Sequence, residues 1–379
     1  MAILASSAER TMRIGIDAHF VGIRHGGNEI HFENLINHLA DLPGNGDEFY
    51  AFTYRLAARD RLRGERLTFI PLSSRSVSWQ RGVEIPLQSR RLRLDVLHVP
   101  FNFVPLFRPR KVVTIHDLGF LHVPEAFTPW ERARMAVLTP LAARCADHVF
   151  AVSAFTKHEI VERYRVPEER ITITPSAVDR TVFRPLSAEQ TAATRARLGL
   201  KCDFVLFVGT LQPRKNVPTL IEAYDRLRRK GRIPGLHLVL AGRKGWYFEE
   251  VFRVVRERGL ENCVHHVGAV DTETLVGLYS SAAAFVLPSR YEGLGLPLLE
   301  AMSCGCPVVS SNTSAMPEVY GEAALAFDPN DPEELAVQLE RVLEDRPCRD
   351  KLVRRGFQNC ERFSWERTAA AVERAYHSL

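Results

Sequence analysis

The stretch Ala283 to Met302 does most to limit what this chain can fold into. Its apolar run Ala283–Leu287 has the length and composition of a buried strand. Pro297 suits the first turn of a helix, where a missing N–H costs nothing. Leu298, Leu299 and Met302 then continue a helical apolar face. Gly293 and Gly295 therefore stand between the C-terminal end of a strand and the N-terminus of a helix. Backbone N–H groups and the positive end of the helix dipole converge at such a point, which suits an anion such as a phosphate. Glu292 lies just before the turn and Glu300 about one turn into the helix. Carboxylates do not bind phosphate directly; they accept hydrogen bonds from hydroxyl groups, as on a sugar and a ribose. Taken alone, the stretch fits an ordinary α/β turn equally well, because the dipole by itself favours an acid there.

The order strand, glycine loop, helix recurs along the chain. Met12–Ala18 leads into the loop His19–Asn28, with Gly22, Gly26 and Gly27, and then into a helix carrying Phe32, Leu35, Ile36 and Leu39. That helix is expected to stop at Pro43-Gly44-Asn45-Gly46. Strands are expected at Glu48–Tyr54, Leu67–Pro71, Val96–Val99, Lys111–Ile115 and His148–Val152. A second series follows at Asp203–Val208, Leu236–Ala241, Val264–Val267 and Pro307–Ser310. Repeated βα units predict parallel sheets covered on both faces, and the length predicts two domains. The boundaries expected are a disordered lead-in over 1–11, a first domain over 12–185, a second over 186–362 and a last helix within 363–379. His116-Asp117 follows a strand at the end where open α/β sheets bind ligands, although a single histidine is more often structural. In Gly209-Thr-Leu-Gln-Pro-Arg-Lys-Asn216, Asn216 is positioned to cap the helix carrying Leu220, Ile221 and Tyr224. Arg214 and Lys215 then sit beside a helix N-terminus, where the dipole disfavours cations. A bound anion would remove that conflict.

Composition excludes several classes. An apolar fraction of 46% and a charged fraction of 25% are those of an ordinary globular chain. The 7 cysteines lack paired spacing; Cys304-x-Cys306 has no second pair and fits no zinc pattern. A reducing cytoplasm is expected, with no membrane-spanning run and no secretory segment. Between Arg55 and Lys111 stand 13 Lys or Arg against four acids, with Trp79 interleaved. This is a solvated basic face, or a patch for an anionic membrane surface or a diphosphate-linked acceptor. No zinc finger, helix-turn-helix or RNA-binding signature points to nucleic acid.

With these motifs in order, the chain resembles a retaining GT-B glycosyltransferase of family 4. The residues that carry the resemblance are Gly209–Asn216, Gly242-Arg-Lys-Gly-Trp246 and the Glu-x7-Glu motif Glu292–Glu300. His116-Asp117, the first glycine loop and Phe363-Ser-Trp365 agree with it. The family implies an α/β fold of two Rossmann-like domains facing across a cleft, with a last helix returning to the first domain. It implies that Arg214 and Lys215 hold the donor diphosphate, and that Glu300 bonds the ribose. Glu292, with Gly293, Leu294, Gly295 and Leu296, would hold the donor sugar, which His116 contacts near the reacting centre. Gly26, Gly27, Thr210, Gly242, Arg243 and Val267 fall on the donor side as well. Thr210 stands where many members have an arginine, and Leu294 where phenylalanine is common.

The resemblance implies transfer of a hexose from a nucleotide-sugar to a saccharide acceptor. The leaving diphosphate must be stabilised as the C–O bond breaks. Sugar transferases that use a metal typically carry Asp-x-Asp, which is absent here, so neither metal nor cofactor is expected. The variants present look most like members that build bacterial surface polysaccharides from GDP-mannose on acceptors that can be lipid-linked. UDP- and dTDP-sugars, a nucleotide-sugar 2-epimerase and a non-catalytic sugar-nucleotide sensor remain alternatives.

Overall fold

The structure is a computed structural model and describes residues 11–22, 26–43, 46–100, 109–231 and 233–379. The expected lead-in, apart from Thr11, lies outside the described residues, as does part of the first glycine loop. The chain divides into two units: residues up to Asp117, with Ala133–Ser176 and Trp365–Leu379, and then Leu118–Arg132 with Ala177–Ser364.

The first unit is a 7-stranded sheet of β1 (Arg13–Asp17), β2 (Glu48–Thr53), β3 (Leu67–Pro71), β4 (Val96–Pro100), β5 (Arg110–Ile115), β6 (His148–Ala151) and β7 (Ile171–Ile173). Its strand order is β3-β2-β1-β4-β5-β6-β7, and every pair is parallel. The inner strands are mostly apolar and buried because both faces are covered. Ile14, Ile16, Phe49, Phe52, Val112, Val113 and Phe150 are all buried. The Gly27–Asp41 helix follows β1 and buries Phe32, Leu35, Ile36 and Leu39, the periodic set. The C-terminal helix Trp365–His377 also belongs to this unit. It is fixed by Tyr376, whose hydroxyl lies 2.6 Å from Nδ1 of His98, and by Thr368, whose hydroxyl donates to the Pro175 carbonyl at 2.8 Å.

The second unit is a 6-stranded sheet of β8 (Phe204–Val208), β9 (His237–Ala241), β10 (Val264–Gly268), β11 (Ala284–Leu287), β12 (Val308–Ser311) and β13 (Ala324–Phe327), in the order β10-β9-β8-β11-β12-β13. All its pairs are parallel. Both sheets thus reverse strand order beside their first strand, the place where such folds bind ligands.

Three features depart from the sequence reading. The edge strands β7 and β13 were not anticipated. The units part at Ser176/Ala177 rather than at 185/186. Leu118–Arg132, expected with the first domain, groups with the second unit because its partners lie there. The Leu118 N–H donates to the Tyr291 hydroxyl at 3.2 Å, His122 stacks on the Tyr291 ring at 4.9 Å, and the Trp246 indole donates to the Ala126 carbonyl.

Candidate functional site

In the second unit, three loops at the C-terminal ends of β8, β9 and β10 are joined backbone to backbone. Gly209 N–H donates to Ala241 O, Gly242 N–H to Gly268 O, and Leu211 N–H to Arg243 O, at 2.9, 2.7 and 2.9 Å. At Gly242 a side chain is impossible as the loops stand, since a Cβ would lie 2.0 Å from the Gly209 oxygen. This zipper places Thr210, Gly242, Arg243 and Val267 on one rim of the sheet. Arg243 is exposed; the other three are partly covered.

The Glu292 turn follows β11 on the same rim. Gly295 adopts φ 88° and ψ 49°, the left-handed region open to glycine, and starts the Leu296–Ser303 helix with Pro297 in its first turn. Among the described residues, no hydrogen bond engages the backbone N–H of Gly293, Leu294 or Gly295. Glu292 is buried and gathers the cluster. Lys215 Nζ lies 2.6 Å from its Oε1 and Arg214 Nη1 2.8 Å from its Oε2, while the Ser289 hydroxyl donates to Oε1 at 2.6 Å. Arg214 also donates to the Tyr291 carbonyl at 2.7 Å. Burial alone would raise the Glu292 pKa; the charges of Arg214 and Lys215 outweigh it and hold the carboxyl down to about 2.

Two expectations change here. Arg214 and Lys215 occupy a 3₁₀ turn, Pro213–Lys215, ahead of the Val217–Arg229 helix, and Glu292 already supplies an anion to both. The conflict with the helix dipole therefore does not by itself demand a ligand. Asn216 is not a side-chain cap. It lies at φ 54°, and its amide donates instead to the carbonyls of Pro288 and Pro329, at 3.1 and 2.7 Å. It ties the Arg-Lys turn to the end of β11 and to the loop after β13.

Glu300 points into the interior of the same unit. Its Oε2 accepts from the Tyr279 hydroxyl at 2.9 Å. Burial pushes its pKa up to about 7, against the opposing pull of the Tyr279 hydrogen bond and the Lys215 charge. The two acids of the motif thus differ in state: one is fixed as an anion and the other is poised near neutrality.

His116, Gly26 and Gly27 belong to the first unit. His116 follows β5, and burial lowers its pKa to about 4 against the opposing charge of Asp117. Its ring meets His31 at 4.8 Å between centroids and Phe32 at 6.0 Å. His98, on β4, bridges Tyr376 and Thr114, with 2.6 Å on each side, and burial lowers its pKa to about 3. The sequence reading missed Tyr279, Ser289, His31 and His98. Tyr279, His31 and His98 reach their partners from other elements, so no local spacing announced them; Ser289 stands only three residues before its partner Glu292. Among the described residues, no group of three or more His, Cys, Asp or Glu could hold a metal ion.

Comparison with known proteins places this geometry. The description Glycosyltransferase Family 4 matches residues 25–182, and Glycosyl transferases group 1 matches residues 192–359. The chain is 34% identical over 286 residues to the O-antigen chain mannosyltransferase B of Escherichia coli, which covers 75% of this chain and 74% of that protein. It is 30% identical over 277 residues to the serotype-specific mannosyltransferase WbdA of Escherichia coli, covering 72% of this chain and 33% of WbdA, so it spans about a third of that protein's length. Among solved structures, a sucrose-phosphate synthase from Thermosynechococcus elongatus superposes with a TM-score of 0.79 at 23% identity, over 97% of this chain and 99% of the other. Anabaena HepE in complex with UDP-glucose superposes with a TM-score of 0.78 at 19% identity, over 97% and 100%. The paired parallel sheets and these likenesses define a GT-B-type sugar transferase. The chain belongs to the group 1, or family 4, glycosyltransferases.

Proposed function

We propose that the chain transfers mannose from GDP-mannose to a saccharide acceptor carried on a lipid, with retention of configuration and no metal, in assembly of a bacterial surface polysaccharide. The observation that carries this reading is the Arg214–Glu292–Lys215 cluster at the Gly293–Gly295 turn. It sets two cations and a row of backbone donors on one sheet rim. The choice of mannose follows the relatives named above. Arg214 and Lys215 exchange part of their contact with Glu292 for diphosphate oxygens and stabilise the charge that grows as the glycosidic bond breaks. Gly293, Leu294, Gly295 and Leu296 offer backbone donors, and Glu292 takes a sugar hydroxyl. Glu300, ionised, accepts from the ribose hydroxyls. Thr210, Gly242, Arg243 and Val267 flank the nucleotide. His116, neutral at working pH, exchanges a hydrogen bond with a donor-sugar hydroxyl, and Gly26 and Gly27 leave room for the diphosphate and the acceptor. The acceptor hydroxyl attacks C1 on the face the phosphate leaves, and a leaving phosphate oxygen takes its proton.

Thermal unfolding with GDP, UDP, dTDP and ADP tests the donor, because a ligand of the native state alone raises apparent stability. GDP should give the largest shift; a larger shift with UDP or dTDP would replace the donor. Slow release of free mannose from GDP-mannose supports a transferase. An epimeric nucleotide-sugar, or binding without turnover, would overturn it.

For the acceptor, a cytoplasmic enzyme acting at the inner membrane face is supported by the basic stretch. Trp79 and Leu87 are 54% and 59% exposed, and Arg75, Arg90, Arg91 and Arg93 are exposed around them. The nearby acid Glu84 is turned onto Ser73 and Ser74. No helix of the described residues is long and apolar enough to cross a membrane. Co-sedimentation with anionic vesicles that weakens as salt rises is expected. Equal recovery on neutral vesicles would favour a soluble acceptor.

A further inference from the structure

The Gly27–Asp41 helix begins at the first glycine loop and carries His31 into the interior one turn later, with no part of the residue exposed. Nδ1 of His31 lies 2.9 Å from the Ser176 hydroxyl. Nε2 is enclosed and, among the described residues, has no hydrogen-bond partner. Burying a polar atom without a partner costs free energy. A position that needed only bulk would be filled by leucine without that cost, so the ring calls for an explanation. Its ring neighbours supply one. His31 stands perpendicular to His116, with centroids 4.8 Å apart and planes at 88°. On other sides it meets Phe32 at 5.5 Å and 76°, and Trp365 of the C-terminal helix at 5.7 Å and 62°. A perpendicular ring pair at this separation sets an N–H or C–H edge against a π face and fixes the angle between the planes.

We propose that His31 is a positioning residue for His116: it sets the plane of the His116 imidazole and couples that plane to the glycine loop from which its own helix springs. The Ile30 N–H donates to the Gly26 carbonyl at 3.1 Å, so the loop and the helix turn bearing His31 are one hydrogen-bonded piece. Ser176 anchors the far side of the ring and is itself buried. Phe32, 6.0 Å from His116, closes another side of it. This inference rests on the reading of His116 as a contact to the donor sugar. With His31 gone, the donor still binds through groups of the second unit, but the His116 ring loses its fixed plane. The loss therefore falls on kcat and spares the donor KM.

The test compares His31→Leu, His31→Phe, Ser176→Ala and His116→Ala in the full chain, measuring kcat, donor KM and thermal unfolding for each. His31→Leu should lower kcat about tenfold with donor KM within about twofold, as expected when orientation rather than binding is lost. His31→Phe keeps a ring edge against His116 and should recover most of that loss. Ser176→Ala should give a smaller loss in the same direction, and it carries the test if His31→Leu does not fold. A filler of the core would show the reverse: kcat per folded molecule unchanged, with only the unfolding temperature reduced. That result overturns the proposal, as does a rise in KM alone or a failure of His31→Phe to restore kcat. If His116→Ala keeps full kcat, the reading of His116 falls and this inference falls with it. If His116→Ala is impaired while folded His31→Leu is not, only the role given to His31 is lost.

Discussion

The region around Glu292 and the region around His116 both bury polar side chains at strand ends, but they do so by different means. Around Glu292 the interior holds full charges, one carboxylate shared by a lysine and an arginine. Around His116 it holds imidazoles whose pKa values burial lowers: to about 4 at His116, to about 3 at His98, and well below the ordinary value at His31. A charged cluster can exchange one anion for another and suits a leaving group that gains charge. A neutral cluster cannot stabilise a diphosphate, but it can hold a hydroxyl by direction. The two regions thus offer different chemistry, charge in one and directed neutral contacts in the other.

The most severe way to break this contrast is Glu292→Gln. It leaves buried Lys215 and half-buried Arg214 facing an amide, and removing one partner of a buried pair costs roughly 3–5 kcal/mol. Stability and kcat/KM should both fall, the latter by about 100-fold or more. The pH dependence gives a separate check. The Glu292 pKa is lower in the fold than its ordinary 4.5, so its contribution is fully present above that value and is lost as pH falls towards about 2. Urea unfolding across that range should show a steeper acid loss in the wild type than in the variant. Parallel curves would mean that Glu292 is not held as an anion.

Next in size are Arg214→Ala and Lys215→Ala. Each removes one charge-assisted hydrogen bond, worth about 1.5–3 kcal/mol, or roughly 10- to 150-fold in kcat/KM. A loss in kcat assigns the cation to the departing phosphate, and a loss in KM alone to ground-state binding. Full activity in both variants would remove the pair from the donor site.

How far the sequence carried depended on whether the determining contacts were local. The inner strands were legible because burial on both faces makes runs such as Phe204–Val208 and Ala284–Leu287 continuously apolar. The edge strands β7 and β13 are short, three and four residues, and lie mostly outside the core, so they leave little pattern to read even though β13 is itself apolar. The Gly-Glu turn could be read from spacing, since the glycines and Pro297 act on their own backbone. The role of Asn216 could not, because its partners Pro288 and Pro329 lie far along the chain. The histidine cluster draws on a helix, two strands and the C-terminal helix, and such a site exists only after folding.

A smaller effect separates the two acids of the motif. The Glu300 pKa is raised in the fold to about 7, so protonation is favoured by folding, and its drag on stability grows as pH rises from about 4.5 to about 7. On the proposed reading the ionised form accepts ribose hydroxyls, so donor affinity should improve as pH rises through about 7. Glu300→Gln should flatten that dependence. Tyr279→Phe removes a hydrogen bond to the carboxylate and should move the transition to higher pH. A donor KM that is level between pH 6 and 8 in the wild type, a window set about the raised value, would detach Glu300 from the nucleotide.

The smallest effect is expected at Leu294, beside the most sensitive acid. Leu294 is buried within the turn, and the function assigned to it rests on its backbone N–H, which every residue but proline supplies. Leu294→Phe, which restores a residue common among similar chains, alters the side chain and leaves that donor in place. Overpacking costs typically about 1–3 kcal/mol where a core cannot yield. At a turn on the sheet rim the cost should appear in the unfolding temperature, with kcat/KM changed by no more than about threefold. The pair Glu292→Gln and Leu294→Phe thus separates side-chain from backbone recognition two residues apart. If Leu294→Phe lowers kcat/KM as much as Glu292→Gln while the protein stays folded, the turn reads the donor through its side chains, and the row of backbone donors loses its assigned role.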